Sequence, residues 1–500
     1  MPVLLGIDIG TSSVKAMLAD SGGRVIYTAK KSYEVSIPRP GYAEQDPLLW
    51  WNAVKGALRL LKQNSPREFE NTAAVGFSGQ MHGLVLVDRD NKPLRPAIIW
   101  LDQRSGEQAA LIEKEAGYDT IRRALQNRIF SGFPFPSLLW VRDHEPAVFK
   151  RIGAVLFPKD YIRLRMTGIA AAEKTDASAS LFFDIGKGEW AWNIITSFFP
   201  ERNIFPQVFE SGECAGYVTK ECAAETGLPP GIPVVYGCGD QMAQSIGNGA
   251  IYEGCLTSNI GSGGQISAYA DQNIYDRELR LHTFCHAVNG GYTVFGATLC
   301  AGMSMNWLAN KVLHIDDYGR LSKMAGSINP GSDGLVYMPY LAGERTPHMR
   351  TDLTGMFHGL ALNHDERHFV RAVMEGVVFS LKDAQTLLEG MGITGGKIIA
   401  AGGGAMDDVW LQMQADILGK EVYVNKAGEQ ACLGACILSG IGAGIFKTPA
   451  EACSRMVSME DKTFKPDAKN SEVYQKNYTT YKTLSDFLVR MDAQKKALGE

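Results

Sequence analysis

A signal for export, for a membrane or for nucleic acid is not expected in this sequence. The first residues lack a basic segment ahead of their apolar run, and no stretch reaches the roughly 18 apolar residues of a spanning helix. Excess charge of one sign is missing too: 50 Lys and Arg stand against 54 Asp and Glu, a net charge of −4. With the charges dispersed there is no footprint for a polyanion or an anionic lipid surface, so neither a nucleic-acid nor a membrane partner is expected. The nine cysteines, from Cys214 to Cys453, include no Cys-x-x-Cys pair. That argues against a zinc ribbon or a disulfide framework, and for reduced thiols in a cytoplasmic compartment. Cys432 and Cys436 have i,i+4 spacing within an Ala/Leu/Gly run and read as core. Proline is sparse, 21 against 54 glycines, which suits tight turns and close backbone approaches rather than a Pro-rich linker. Neither Gly-x-x-x-x-Gly-Lys-[Ser/Thr] nor a Gly-x-Gly-x-x-Gly after a first strand occurs, so P-loop and dinucleotide-binding folds drop out.

Apolar residues are plentiful, 45% of 500, too many for a disordered scaffold. The length calls for two domains or one large elaborated one. Strand-like runs alternate with amphipathic helices, the pattern of α/β architecture. Val3–Ile9 and Val14–Leu18 flank a Gly/Thr/Ser turn as a first hairpin. Pro47 opens a helix with Trp50, Trp51, Val54, Ala57, Leu58 and Leu61 at helical spacing, and both tryptophans are expected in the core. Strands Ala73–Phe77 and Pro96–Trp100 run into Ser78-Gly79-Gln80-Met81-His82-Gly83 and Leu101-Asp102-Gln103-Arg104. Polar groups just past strand ends lie where such sheets bind ligands. Pro233–Gly237 runs into Cys238-Gly239-Asp240 ahead of a small-residue helix, and Lys397–Ala400 into Ala401-Gly402-Gly403-Gly404-Ala405.

Residues 9–20 can be laid over residues 260–271 at constant offset, with Ile-Gly, a hydroxyl residue and a closing Ala-Asp in common. The overlay predicts a duplicated hairpin, one opening each half. The expected units are 1–245, 246–445 and a charged helical appendage over 446–500 with a frayed end.

Turns of Gly, Thr and Ser present backbone N–H groups and hydroxyls that suit phosphate oxygens. Two such turns face to face would clamp a polyphosphate. Asp8, within an apolar strand, is costly to bury unless paired; a hydrated Mg²⁺ or the turn's own N–H groups would serve. Asp240 could act as a general base toward an alcohol or as a helix N-cap. Gly402–Gly404 admits a nucleotide or is a tight turn.

These features together resemble the FGGY carbohydrate kinases, within the actin-like ATPase superfamily, from end to end. Besides the hairpins, the likeness rests on Glu44-Gln45-Asp46-Pro47 before Trp50-Trp51, Gly79-Gln80-Met81-His82-Gly83, and Arg95-Pro96-Ala97-Ile98 to Trp100. It continues through Pro158-Lys159-Asp160-Tyr161, Gly239-Asp240, His282-x-Phe284-Cys285-His286, and Pro339-Tyr340-Leu341 to Gly343-Glu344-Arg345-Thr346-Pro347-His348. Gln-Met-His-Gly and Phe-Cys-His look most like family members that phosphorylate D-xylulose.

The resemblance implies an α/β fold of two actin-like (ribonuclease H-like) ATPase domains around a central interdomain cleft. It implies ATP and Mg²⁺ as cofactors, a small sugar as substrate and, as is usual for such enzymes, a homodimer. It assigns Asp240 as the base on the sugar hydroxyl and Asp8 to Mg²⁺. Gln80, Met81 and His82 would contact the sugar, with Trp100 and Asp102 at its border. Gly10, Thr11, Ser12, Lys15, Gly261 and Ser262 would hold phosphates, and Gly403, Gly404 and Asp408 would line the adenosine pocket. Leu101 and Gln241 stand where Asn is common in the family. His282, Cys285 and His286 are not expected to share a metal, because strand alternation separates Cys285 from both histidines. Another ketose or a polyol as acceptor, or a non-catalytic ATP-binding sensor, are the alternatives; Asp240 beside both hairpins argues against the sensor.

Overall fold

The computed structural model describes residues 1–200, 202–288 and 290–498. Its first sheet grows outward from β1 (Val3–Ile9), every residue of which is buried. An uninterrupted apolar run suits a strand covered on both faces. β2 (Ser13–Asp20) returns beside it as a hairpin, and β3 (Val25–Ser32) closes that edge. α1 (Pro47–Asn64) starts at Asp46, whose carboxylate accepts the Leu48 N–H, with proline in the first turn. Its predicted stripe, both tryptophans included, is buried against β2 and β3. β4 (Thr72–Gly79) runs parallel to β1; β5 (Cys214–Tyr217) and β6 (Pro233–Val235) follow much later. The order is β5-β6-β4-β1-β2-β3, and the short strand Cys238–Gly239 pairs with the end of β4.

α2 (Asp240–Gly247) leads from this sheet to the second. There β7 (Gly254–Ile260), β8 (Gly264–Ala270), β9 (His282–Cys285), β10 (Tyr292–Thr298), β11 (Gly395–Gly402) and β12 (Glu421–Val424) take the order β9-β10-β8-β7-β11-β12. α3 (Glu366–Gly390), α4 (Asp408–Leu418), α5 (Gln430–Gly442) and α6 (Ala468–Leu498) complete the elements that matter here.

Both sheets follow one plan. A buried central strand, β1 or β7, has an antiparallel hairpin partner on one side and a parallel strand on the other. The predicted duplication is present, with one correction. Ile9 pairs with Val14, whereas Ile260 pairs with Gly264, so the second turn is one residue shorter. Leu18, opposite Leu5, therefore corresponds to Ala268, opposite Leu256. The constant offset fails past the turn, and the shared Ala-Asp is coincidence.

α5 comes late in the chain yet packs on β1 and β4 and against α2. A Cβ at Gly434 would lie 1.9 Å from the Ala243 carbonyl oxygen, and one at Gly76 would lie 2.0 Å from that of Ala435. The small residues of this region let backbones meet where the halves join. Cys432 and Cys436 are buried there, as their spacing predicts. The tail is helical in two pieces, Pro449–Met456 and α6. α6 belongs to the second core: Arg371 donates to the Tyr474 hydroxyl at 2.6 Å, and the Tyr478 hydroxyl donates to Asp383 at 2.7 Å. The expected frayed end beyond Leu498 lies outside the described residues. Among the described residues, no helix is long and apolar enough to cross a membrane.

Candidate active site

The carboxyl-terminal ends of β1, β7 and β11 open on a cleft of about 740 Å³ between the two halves. Asp8, next to last in β1, lines it and is nonetheless buried. Ser78, its register partner on β4, donates a hydroxyl hydrogen bond at 2.7 Å to one oxygen; the other oxygen has no such partner. Burial raises the Asp8 pKa, while Ser78 and Lys15 pull it back. Lys15, opposite Asp8 in the hairpin, pairs at 2.5 Å with Glu429, just before α5. That ion pair ties the first hairpin to the second half.

The first turn brings Thr11 to the cleft, rather than Gly10 or Ser12. Gly10 turns inward, with its carbonyl accepting from Tyr33, and Ser12 is exposed. A closed set of hydrogen bonds fixes Thr11. Its hydroxyl accepts from Trp100 Nε1 at 2.9 Å and donates to Gln80 Oε1 at 3.2 Å. Gln80 donates to Gln45 at 2.9 Å, and Gln45 donates back to the Thr11 carbonyl at 2.7 Å. Gln80 is thus a buried support, while Met81, His82 and Trp100 form the wall. His82 holds φ near +63°, a left-handed conformation that costs a non-glycine residue about 1–3 kcal/mol. Its Nδ1–H donates to the Ala179 carbonyl at 2.8 Å, and its ring lies 3.9 Å from that of Phe133. Burial pushes the imidazole down to about 4, so it is neutral, with Nε2 an acceptor.

Asp240 is the first residue of α2, and Gly239 is its cap, which removes the N-cap reading. The carboxylate lines the cleft and accepts the Gln241 N–H at 2.8 Å. Burial, and then the charge of Asp8, push its pKa up to about 7. Gly239 in turn is held from behind: its N–H donates to Thr175 Oγ1 at 2.8 Å, and Thr175 donates to Glu173 at 2.6 Å. Glu173 belongs to a wholly buried ion cluster in which Lys159 meets Asp160 at 2.8 Å, Asp176 at 2.9 Å and Glu173 at 3.1 Å. Arg163 also pairs with Asp160 at 2.6 Å.

From the second half, Gly261, Ser262 and Gly403 line the opposite wall. A Cβ at Gly261 or Gly403 would touch nothing closer than 3.7 Å, so packing within the chain does not demand glycine there. Bare backbone beside an open cleft suits close approach of a ligand. Gly404 differs. Its Cβ would lie 2.6 Å from that of Ile260, so it packs rather than lines.

Asp102 and Asp408, also expected at the site, lie away from the cleft. Asp102 is fully buried, with its oxygens taken by the Ala43 N–H at 2.6 Å and the Arg104 guanidinium at 2.7 and 2.9 Å. It holds the loop behind Trp100 instead of bordering the cleft. Asp408 is exposed, pairs with Lys462 and lines a separate cavity of about 660 Å³; Asp407, not Asp408, caps α4. Arg345, Glu429 and Gln45 are functional neighbours with no role assigned from sequence. Gln45 and Arg345 lie within motifs that carry the resemblance; nothing in the sequence points to Glu429.

Two sheets of one plan, each sending a glycine turn into a shared cleft that holds a buried carboxylate, Asp8, and a half-buried one, Asp240, define a two-domain kinase of the actin-like type. The FGGY family of carbohydrate kinases matches the chain twice, its N-terminal domain over residues 3–247 and its C-terminal domain over residues 272–443. The chain belongs to that family. It is 35% identical to a xylulose kinase of Bacillus subtilis, over 97% of each chain, and 33% identical to one of Escherichia coli, over 98% of this chain and 100% of the other. A crystal structure of xylulose kinase from Rhodospirillum rubrum superposes with a TM-score of 0.91 at 28% identity, covering 98% of this chain and 99% of that one.

Proposed function

We propose that the chain transfers the γ-phosphoryl group of ATP to the 5-hydroxyl of D-xylulose, with Asp240 as general base. The observation that carries this reading is the half-buried Asp240 carboxylate at the foot of a cleft walled by His82 and Trp100 on one side and a bare glycine turn on the other. Its partial burial and the charge of Asp8 push its pKa up to about 7, where a general base works. An acceptor oxygen loses its proton to the Asp240 carboxylate as its bond to phosphorus forms and the bond to the ADP oxygen breaks. Met81, His82 and Trp100 orient the sugar. The N–H groups of Thr11 and Ser262 and the Ser262 hydroxyl are offered to phosphate oxygens, the bare backbone of Gly261 lets them approach, and Gly403 leaves room for the nucleoside.

Asp8 suits a divalent cation. No set of three or more His, Cys, Asp or Glu side chains is placed to enclose a metal among the described residues. Mg²⁺ commonly keeps several waters and binds through one or two carboxylates plus substrate phosphates, and a carboxylate with one uncommitted oxygen fits that habit. The cation would offset charge on the phosphates. The unpaired cysteines, eight of the nine buried, support a cytoplasmic location.

The test is kcat/KM with MgATP across ketoses and polyols. D-xylulose should give the highest value. Faster turnover of ribulose or glycerol would leave a carbohydrate kinase with the wrong acceptor assigned.

A further inference from the structure

Arg345 lines both the main cleft and an adjoining cavity of about 450 Å³ that reaches His82, Phe133, His282 and Phe295. Its guanidinium makes no hydrogen bond or ion pair with any described residue; only its backbone is engaged, the N–H by the Glu344 carboxylate and the carbonyl by the Met349 N–H. The neighbouring carboxylate is spoken for. Glu344 accepts the Thr298 hydroxyl at 2.6 Å, the Leu299 N–H at 3.0 Å and the Arg345 N–H at 2.7 Å. A half-buried cation whose donors are all idle faces a ligand in the working enzyme.

The chemistry of the surrounding wall narrows what that ligand atom is. His82 spends Nδ1–H on the Ala179 carbonyl, which leaves Nε2 as an acceptor. His282 is alike. Asn127 donates through Nδ2 to the carbonyls of Leu125 and Thr283, so its Oδ1 accepts from His282 Nδ1 at 3.1 Å, and His282 Nε2 has no partner. Burial keeps both rings neutral. His82 Nε2 therefore suits a sugar hydroxyl donor, with His282 Nε2 buried behind the cavity wall, while the guanidinium, which can only donate, suits an oxygen that can only accept.

D-xylulose has one such oxygen, the C2 carbonyl, and only in its open-chain form. In the ring form the 5-hydroxyl is consumed in closing onto C2, so it is not free to be phosphorylated. Resting on the xylulose reading above, we propose that Arg345 selects the open-chain ketose by donating to its C2 carbonyl oxygen, with the 5-hydroxyl left toward Asp240. Arg345 is then the residue that separates ketoses from the polyols that match them in every other hydroxyl.

The experiment compares D-xylulose with xylitol, which carries an alcohol at C2, by titration calorimetry on the wild type, Arg345→Gln and Arg345→Lys. It adds a carbon-13 spectrum of bound D-xylulose labelled at C2. A hydrogen bond from a charged group is worth about 1.5–3 kcal/mol, so Arg345→Gln should lower the xylulose-to-xylitol affinity ratio about ten- to a hundredfold. Arg345→Lys should restore part of it, and the wild-type C2 signal should lie in the ketone region. Equal loss for both ligands, or a C2 signal in the hemiketal region, overturns the assignment while leaving the xylulose kinase reading intact. A guanidinium that serves ATP phosphate instead would leave both sugars unchanged and weaken MgATP binding, which also overturns it. Wild-type protein that binds and phosphorylates other acceptors but not xylulose overturns both.

Discussion

Asp240→Asn is expected to lose phosphoryl transfer by about 10²–10⁴-fold or more, the usual contribution of a general base. The amide keeps the shape and the Gln241 N–H contact but cannot take the hydroxyl proton, so titration calorimetry should find xylulose affinity nearly unchanged. The pH profile gives the same assignment a second reading. Only the ionised carboxylate accepts a proton, so kcat/KM, which reports the free enzyme, should rise with pH through about 7 and level off above it. The residual rate of Asp240→Asn should lack that inflection. Turnover within a few-fold of wild type would leave Asp240 as no more than the first residue of a helix.

Lys159→Met is expected to cost stability rather than chemistry first. Lys159 is the shared partner of three carboxylates in the buried cluster. Removing one side of a buried ion pair leaves charge uncompensated, a loss of about 3–5 kcal/mol. Asp176→Asn should behave differently. Burial raises the Asp176 pKa against the pull of Lys159, so its charge is the most weakly held in the cluster, and an amide should replace it at a smaller cost than the loss of Lys159. Denaturant midpoints of the two variants decide the matter, and equal midpoints would contradict this assignment of charge. Because Thr175 links the cluster to the Gly239 N–H, the folded fraction of Lys159→Met should also show a lowered kcat.

The parts of the site written locally are legible in the sequence. Asp8, Thr11 and Gly261 sit where a strand runs into a glycine turn, and Asp240 where a short strand runs into a small-residue helix, and these local patterns announce each. Partnership across the chain is not written that way. Lys15 and Glu429 are 414 residues apart, and the Gln45–Gln80 link spans 35, so no spacing reveals either. Asp102 misleads because Arg104, two residues on, folds back over it, its N–H and Nε closing Oδ1 and its guanidinium closing Oδ2. Asp408 misleads because it faces Lys462 at a separate cavity, while Asp407 beside it caps α4, so neither reaches the cleft. The hairpin overlay fails for a related reason. A turn can lose a residue while its strands keep their pairing, and sequence identity alone does not register the slip.

The central claim is that a carboxylate in this cleft directs the γ-phosphoryl group to the 5-hydroxyl of an open-chain ketose. Its most direct test is phosphorus–proton correlation NMR of the product made from MgATP and D-xylulose. The prediction is a single phosphate ester coupled to a methylene whose protons couple onward to a neighbouring methine, as only C5 does. A phosphate coupled to an isolated methylene beside the carbonyl, or inorganic phosphate alone, would contradict it.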